Sequence, residues 1–509
     1  MKKIHIYLSV VVLNILLVNG LWASSPPATL SLVKSVDTGD RKGTEIISIN
    51  ARRRIAAVSN SKQGVVDLYS LAEPENPIRL KRVELGLVKG EQITSVAIHP
   101  GYDYFVTAIQ AASPTATGRL EIRDTTSGNL RHQVDLGVGP DGVVIDPTGS
   151  YGLIANEAEE FVLNREAGTY SSAAGSLTLV KFAADPLRIT AEQISLDDLS
   201  GTPGMVSAAD NRFIEREIDW NGDGEISEEP LDLNGNGQID KAPVSVGKFR
   251  GVTIKAKEKN GELFLFPLID NRPDLLEPEY VAFSLDGSTA WAVLQENNGV
   301  VEVDTASAKI TRVFGLGTTT HYADINDNDH VSFSSTLTAL REPDGMIVTL
   351  DGKYLVTADE GDTDPKASQT KSGPAAGGRT VSVFDVVTGQ LVGDTGNQID
   401  ERVHAAGFYP ESRSDNKGSE PEMVIALQIN GINYLAVGLE RANGVALVSL
   451  ADPQQPAVVS VAPIADLEKT EKIGPEGIAY LFDEPSNRHY LYTANEKNGS
   501  ISIFEVLIH

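Results

Sequence analysis

Two acidic loops in tandem are the segments of this sequence best suited to bind a metal ion. They begin Asp219-Trp-Asn-Gly-Asp-Gly and Asp232-Leu-Asn-Gly-Asn-Gly. Carboxylate and amide oxygens alternate along each loop, and glycine stands where a loop around one ion must turn sharply. Calcium prefers such oxygen ligands. We therefore predict calcium binding by Asp219, Asn221, Asp223, Glu225, Asp232, Asn234, Asn236, Gln238 and Asp240.

The loops depart from the EF-hand pattern. Pro230 and Pro243 stand where an EF-hand carries its last, bidentate glutamate. The pattern is closer to thrombospondin type 3-like or dockerin-like calcium loops, in which calcium orders an insertion without taking part in catalysis. The alternative is a solvated acidic linker. A third loop, with Asp324, Asn326 and Asn328, has similar oxygen spacing but no glycine, so calcium binding there is left open.

A second set of carboxylates follows a repeated Pro-Asp or Pro-Glu theme, each copy opening a strand-like run. The copies are Pro140-Asp141, Pro278-Glu279, Pro343-Asp344, Pro421-Glu422 and Pro475-Glu476, with weaker copies at Glu45 and Thr94. Further polar pairs end the second strand of most units: Asn156-Glu157, Gln295-Glu296, Asp359-Glu360, Glu440-Arg441 and Asn495-Glu496. Antiparallel neighbours place both sets on one face. We expect a ring of carboxylates there.

Two interpretations of this ring stay open. Crowded carboxylates raise one another's pKa unless a cation compensates, which favours a site for a metal or a cationic ligand. Alternatively, the carboxylates are structural and accept backbone N–H bonds between neighbouring units. If the protein is an enzyme, a second divalent metal would activate water. The catalytic candidates are then Glu279, Asp344, Asp359, Glu360, Glu422 and Arg413, with Lys417 and Arg441 as further cations for a phosphoester and His321 and His404 nearby.

The elements that position these residues are short strands in self-similar units. Seven such units predict a seven-bladed β-propeller over residues 29–509, because a lone four-stranded sheet cannot bury both faces. The last unit supplies three strands, and the strand-like run after Leu30 is expected to complete it and close the ring. Residues 197–276, which carry the calcium-like loops 219–243, are expected to form an insertion within the propeller.

Composition restricts the partners. The net charge is −27 and the pI about 4.7, so nucleic acid and anionic membranes would be repelled. Cysteine is absent, which excludes disulfides and thiolate chemistry. Two lysines, an apolar run and small residues near Ala23 predict a signal peptide over residues 1–25, with a membrane anchor as the alternative. We expect an exported protein, periplasmic or secreted, with no stable membrane anchor after cleavage.

Several longer strings resemble one bacterial family. They are the segments that start at Glu277 (EPEYVAFSLDGSTAWAVLQENN), Tyr354 (YLVTADEGD), Arg413 (RSDNKGSEPE) and Gly438 (GLERANGVALVSLADP). They are similar to strings of the choice-of-anchor I β-propeller proteins, over about residues 40 to 506. The resemblance implies export and a propeller but fixes no activity. Some relatives are described as alkaline phosphatase-like.

The sequence thus favours an exported calcium-binding propeller whose acidic face binds an unidentified ligand or protein. The alternative is a metal-dependent hydrolase, most plausibly a phosphoesterase. No serine nucleophile elbow, Walker loop, dinucleotide fingerprint or His-Glu-x-x-His motif is present in the sequence.

Overall fold

The computed structural model describes most of the chain from Ala28 to His509. The residues left out of this description are 1–27, 114, 159–160, 165–168, 197–198, 200–243, 250–251, 260–261, 268–275, 296, 362–374, 376 and 465–471. For the strands within 161–172 and 244–267, only the backbone is described. The predicted signal peptide, all nine predicted calcium ligands and Glu296 lie outside the described residues, so these predictions stay predictions.

Seven four-stranded antiparallel sheets form the blades of a β-propeller. Every blade runs from an innermost strand at the channel to an outermost strand at the perimeter. In that order, blade 1 consists of β2 Thr44–Asn50, β3 Ile55–Asn60, β4 Val65–Ser70 and β5 Ile78–Glu84. Blade 2 consists of β6 Gln92–Ile98, β7 Tyr104–Gln110, β8 Thr117–Asp124 and β9 Leu130–Val138. Blade 3 consists of β10 Pro140–Ile145, β11 Tyr151–Asn156, β14 Ser176–Lys181 and β15 Thr190–Ser195.

The remaining blades continue in chain order until the last, which takes its outer strand from the start of the chain. Blade 4 consists of β19 Pro278–Phe283, β20 Thr289–Leu294, β21 Gly299–Asp304 and β22 Lys309–Gly315, and blade 5 of β25 Pro343–Val348, β26 Tyr354–Asp359, β27 Thr380–Asp385 and β28 Leu391–Asp394. Blade 6 consists of β29 Pro421–Ile429, β30 Ile432–Leu439, β31 Gly444–Ser449 and β32 Ala457–Pro463. Blade 7 consists of β33 Pro475–Asp483, β34 Arg488–Asn495, β35 Ser500–Ile508 and β1 Ala28–Asp37.

The hydrophobic core lies between the blades rather than inside any one of them. Each pair of neighbouring blades shares one cluster of buried apolar side chains, including the pair formed by blades 7 and 1. The inner strands contact one another in a closed circle in which β33 returns to β2. A blade therefore buries its two faces only when both neighbours are present, which is why the units repeat around a ring.

Strand β1 closes the ring, as predicted. It pairs antiparallel with β35 over nine residue pairs from Ala28↔Ile508 to Asp37↔Ser500. A register shift after Leu32 lets Leu30 and Leu32 pack on the cluster between blades 6 and 7, while Val33 and Val36 pack on the cluster between blades 7 and 1. Closure also covers the edge of β35, which would otherwise be open to pairing.

The long connections that were expected to be loops contain regular structure. Strands β12 Phe161–Asn164 and β13 Thr169–Ser172 join β16 Val244–Phe249, β17 Val252–Lys259 and β18 Glu262–Pro267 in an extra five-stranded sheet. Strands β23 Thr318–Ala323 and β24 Ser335–Leu340 form a hairpin between blades 4 and 5, and helix α1 Gln398–Ala405 lies between blades 5 and 6. Short 3-10 turns occupy Pro186–Arg188 and Glu411–Arg413.

Two buried arginines attach these connections to blade 5. Arg341 donates to the backbone oxygens of Leu316 and Thr318 at 3.2 and 3.1 Å, beside the start of β23. Arg379 donates to the backbone oxygens of Asp324 and Asn416, at 3.1 and 2.6 Å. A guanidinium group satisfies several carbonyl oxygens at once, so each arginine connects loop backbone that would otherwise be unpaired.

Ile399 and Val403 of α1 are fully buried in the cluster between blades 5 and 6. This packing attaches the helix to the propeller surface. Among the described helices, none combines the length and the apolar composition that crossing a bilayer would require.

Candidate functional site: the acidic mouth

The Pro-acid theme has a local structural cause. In every blade, the register between the first and second strands shifts next to the first residues of the inner strand, as between Pro140 and Val143 or Pro343 and Met346. A β-bulge of this kind changes the direction of a side chain. Proline is tolerated there because the first residue of a strand need not donate a ladder hydrogen bond. The bulge turns the acidic residue toward the channel.

Glycine after the acidic residue allows the inner strands to approach closely. A β-carbon at Gly142 would lie 2.8 Å from the backbone oxygen of Glu279 in the next blade. The same collision would occur between Gly345 and the backbone oxygen of Glu422, at 2.6 Å. These short contacts narrow the circle of inner strands, which brings carboxylates of neighbouring blades together.

Six carboxylates, one from each of six blades, line a cavity of about 350 Å³ at this end of the channel. This surface, termed the acidic mouth, consists of Glu45, Asp141, Glu279, Asp344, Glu422 and Glu476, with Glu496 at its edge and Thr94 in the position of blade 2. Tyr280 and Met423 supply apolar wall. The predicted ring is therefore present. Of the predicted catalytic residues, Glu279, Asp344 and Glu422 lie in it.

Carboxyl groups of neighbouring blades interact in the acidic mouth. The carboxyl group of Glu279 interacts with that of Asp141, and the carboxyl group of Glu422 interacts with that of Asp344. Burial raises the pKa of Asp141 to about 6, and burial followed by the charge of Glu360 raises that of Asp344 to about 7. Burial likewise raises the pKa of Glu422. The carboxyl groups of Asp344 and Glu422 therefore keep protons toward neutral pH, which limits the repulsion between them.

Burial also raises the pKa of Glu45 to about 7 and that of Glu476 to about 8. Ser61 donates to Glu45, which opposes the shift, while Glu440 adds to it at Glu476. Protons therefore occupy much of the acidic mouth at neutral pH. A bound cation would release them, because a nearby positive charge favours the ionised form.

We expect the free energy of unfolding of chelator-treated protein to fall between pH 5 and pH 8. Unfolded carboxyls ionise near pH 4, whereas Asp344 and Glu476 keep protons to about 7 and 8 when folded. The folded state then holds more protons, so stability declines as pH rises through this window. Urea unfolding at each pH measures the decline. Glu45→Gln should reduce the slope, and stability that is flat or rising over the window would contradict these pKa directions.

A second tier of charged residues surrounds part of the acidic mouth and contains cations. Lys417 ion-pairs with Glu360 and with Glu420 at 2.9 Å, and Arg441 pairs with Glu440 and with Glu420 at 2.7 Å. Burial followed by hydrogen bonding with Glu360 raises the pKa of Glu420 to about 10. Blades 5 and 6 thus neutralise many of their own carboxylates.

Asp359 lies outside the acidic mouth, which corrects its predicted place on the rim. Its side chain is fully buried inside blade 5, where it accepts hydrogen bonds from Thr357 at 2.7 Å and from Thr380 and Ser382. Asn156 and Asn495 end the second strands of blades 3 and 7, and their side-chain amides donate hydrogen bonds to hydroxyls of their own blades. The register explains the error, because the residue that ends the second strand faces its blade and the following residue faces the rim.

The cations expected to clamp a phosphoester are placed otherwise. Lys417 and Arg441 are occupied by the carboxylates of the second tier. Within the described part of the chain, no ion pair joins Arg413 to a carboxylate of the acidic mouth. His321 bonds to the backbone oxygen of Gly378 at 2.9 Å, and His404 packs against Phe333 and Tyr409. Lys417 and Arg441 are thus engaged by carboxylates and are not free to clamp an anion.

The third acidic loop uses its side-chain oxygens locally. The carboxylate of Asp324 accepts the backbone N–H groups of Asn326 and Ser332, both at 3.2 Å, and Asn328 accepts that of His330 at 3.1 Å. These bonds engage the side-chain oxygens of Asp324 and Asn328 with the backbone of the loop itself. Calcium binding there stays open.

Among the residues that the structure describes, two groups of carboxylates bring oxygens within 4.8 Å of one another, close enough to hold a metal ion: Asp141, Glu157 and Glu279, and Glu360, Glu420 and Glu422. The second group already contacts Lys417 and Arg441 through Glu360 and Glu420. Sequence reasoning missed Lys497, whose Nζ lies 2.9 Å from Glu440 and 3.5 Å from Glu476. It follows Glu496 as Arg441 follows Glu440, a repeat that could have identified it.

Comparison with solved structures supports the fold. A chain of hydrazine synthase from Kuenenia stuttgartiensis superimposes with a TM-score of 0.52 at 12% identity, covering 93% of this chain and 98% of that chain. The β-propeller domain of Myceliophteria thermophila Cps50 (Swd1) gives a TM-score of 0.49 at 10% identity, covering 94% of this chain and 100% of that chain. At such identity the hydrazine synthase chain supports the fold alone, and nothing is inferred from the second structure.

Comparison by sequence gives one family and no single relative. No curated protein matches the chain. The model of the choice-of-anchor I domain matches residues 45–375 and 364–453, which include blades 1 to 5 apart from Thr44, the first three strands of blade 6, and five of the six carboxylates of the acidic mouth. The match agrees with the resemblance of the strings that begin at Glu277, Tyr354, Arg413 and Gly438. The chain belongs to the choice-of-anchor I family.

Proposed function

We propose that this protein is an exported binding module whose acidic mouth binds a positively charged group. The convergence of six carboxylates on one cavity carries the proposal. Six of the seven inner strands contribute a carboxylate at the same bulge, so the cavity concentrates negative charge within low-dielectric walls. Such a cavity attracts cations and repels phosphate groups.

The protons that the carboxyl groups of the acidic mouth keep explain how a cation would bind there. The carboxyl groups of Asp344 and Glu422 interact across the interface of blades 5 and 6, and burial raises the pKa of both. A cation placed between them would replace these protons and offset the repulsion between the ionised groups. Binding should therefore release protons and strengthen as pH rises from 6 to 8. The same exchange would offset the loss of stability expected over this range.

Calcium at the tandem loops beginning at Asp219 and Asp232 is a separate part of the proposal. Its support is the alternation of oxygen-bearing residues and glycines in the sequence. Calcium there would order the insertion, whereas the acidic mouth would receive the ligand. Export rests on the leader sequence over residues 1–25 and on membership of the family.

We expect the paired variant Asp344→Asn with Glu422→Gln to lose cation binding at the acidic mouth. Both changes keep the shape and remove two of the six carboxyl groups, including the pair between which the cation would lie. Calorimetric titration of the protein with calcium, manganese and cadaverine measures binding. Titration in two buffers of different ionisation enthalpy measures the protons released.

Glu84→Gln is the matched control, because Glu84 is exposed on the outer strand β5. It should bind as the unaltered protein does. Calcium that remains bound in the paired variant is assigned to other sites, including the predicted tandem loops. If none of the three cations shows binding that depends on Asp344 and Glu422, a cation does not bind between these two residues.

A further inference from the structure

Lys497 places an ammonium group of the protein itself at the edge of the acidic mouth. It lies in the turn between β34 and β35, where its backbone N–H donates to Ile473 at 2.9 Å. Its aliphatic stem lies over Gly474, because a β-carbon at Gly474 would come within 2.7 Å of Cγ of Lys497. Gly474 directly precedes the Pro-Glu pair of blade 7, so the stem points along the approach to Glu476.

The ammonium contacts carboxylates from two blades. Its Nζ lies 2.9 Å from Glu440 of blade 6 and 3.5 Å from Glu476 of blade 7, and it also pairs with Glu496. Glu476 and Glu496 both line the cavity. The carboxylates on this side of the acidic mouth therefore already bind one cationic group, a primary ammonium on a flexible aliphatic chain.

The turn position of Lys497 recurs in other blades. Arg441 occupies it in blade 6 and also meets carboxylates, whereas Lys62 occupies it in blade 1 and is exposed. The Nζ of Lys62 donates to the backbone oxygen of Arg41 at 3.2 Å. Lys62 is thus a lysine in the same turn position as Lys497, but among the described contacts it forms no ion pair with the acidic mouth.

Lys497 is the most displaceable of the three cations. Its side chain is 33% exposed, compared with 14% for Lys417 and 28% for Arg441. If it moved outward, Glu440 would keep its pair with Arg441. Glu476 and Glu496 would then be free to meet an incoming cation. The Lys497 ammonium is tethered to the protein, is held by several carboxylates and is partly solvated. It therefore competes with an incoming cation for those carboxylates.

We propose that the ligand of the acidic mouth is an alkylammonium group, carried by a small amine or by a lysine side chain of a partner, and that Lys497 holds its place until it binds. This inference rests on the proposed function of the same surface. It adds the chemical class of the ligand and a residue that sets the affinity for it.

We expect Lys497→Met to bind cadaverine about tenfold more tightly than the unaltered protein does, as when a competitor that fills a site nine-tenths of the time is removed. Calorimetric titration at pH 8 and about 0.15 M salt measures this. A tetralysine peptide provides the second arm: tighter binding of cadaverine than of the peptide indicates a free amine, and the reverse indicates a lysine side chain of a partner.

Lys62→Met is the matched control and should leave both affinities unchanged. Lys497→Arg keeps the positive charge and should bind as the unaltered protein does; Lys497→Gln replaces the methionine variant if the latter does not fold. Equal affinity in Lys497→Met and the unaltered protein would overturn the inference. Binding of calcium but of neither amine at the acidic mouth would overturn it while leaving the proposed function intact. Absence of all cation binding there would overturn both.

Discussion

Removal of Ala28–Asp37 is expected to lower the free energy of unfolding by at least about 4 kcal/mol, because Leu30, Leu32, Val33 and Val36 each bury part of an apolar side chain, at roughly 1 kcal/mol apiece. The loss of β1 also opens the edge of β35 along its whole length. We therefore expect a lower thermal midpoint by circular dichroism and a tendency to associate through the open edge, seen by light scattering.

A synthetic peptide with the sequence of Ala28–Asp37 should restore the thermal midpoint of the shortened protein. An added strand can pair with an open sheet edge in the way that β1 pairs with β35. The control peptide carries Leu32→Asp, which keeps the backbone but cannot pack on the cluster between blades 6 and 7. An unchanged midpoint after removal of β1 would show that the seventh blade is complete without it.

Arg341→Met is expected to lower the free energy of unfolding by about 3–5 kcal/mol at neutral pH, because it leaves buried carboxylates without their cation. The Arg341 side chain is 1% exposed and lies 2.9 Å from Asp394 and 3.6 Å from Asp359. Methionine nearly fills the space but cannot donate to the carbonyl oxygens of Leu316 and Thr318. Chemical denaturation measures the loss.

The loss should grow as pH rises from 6 to 8. Burial raises the pKa of Asp359 to about 6, and Arg341 opposes that shift. Without Arg341 the pKa rises further, so the stability of the variant falls more steeply with pH over this range than that of the unaltered protein. Asp359→Asn added to Arg341→Met should recover part of the loss, because it removes the unpaired charge.

Arg488→Met is the control for Arg341→Met. Arg488 is 49% exposed and pairs with Glu75, which is similarly exposed, and such pairs contribute at most about 1 kcal/mol. If Arg341→Met were no more destabilising than Arg488→Met, Arg341 would not secure β23 to blade 5.

The repeat in the sequence determined the fold to a large extent. Pro-Asp and Pro-Glu pairs recur with strand-like runs behind them, and a lone blade cannot bury both faces, so seven units imply a closed ring. The strand after Leu30 follows from the same reasoning, since the last unit was one strand short. The hairpin β23–β24 and the extra sheet with β12 could not be derived this way, because their strands do not follow the repeat.

The negative charge of the acidic mouth could also be predicted from the sequence, because residues at the same position of each repeat must lie at the same height along the channel. Glu279, Asp344 and Glu422 are examples. Tertiary structure alone decided which polar residues face the cavity and which are neutralised. Asp359 turned into its blade because neighbouring residues of a strand face opposite sides. Lys417 pairs with Glu360 and Lys497 pairs with Glu440, and each pair is separated by 57 residues in the sequence. Such pairs depend on how neighbouring blades pack, which a local sequence pattern does not indicate.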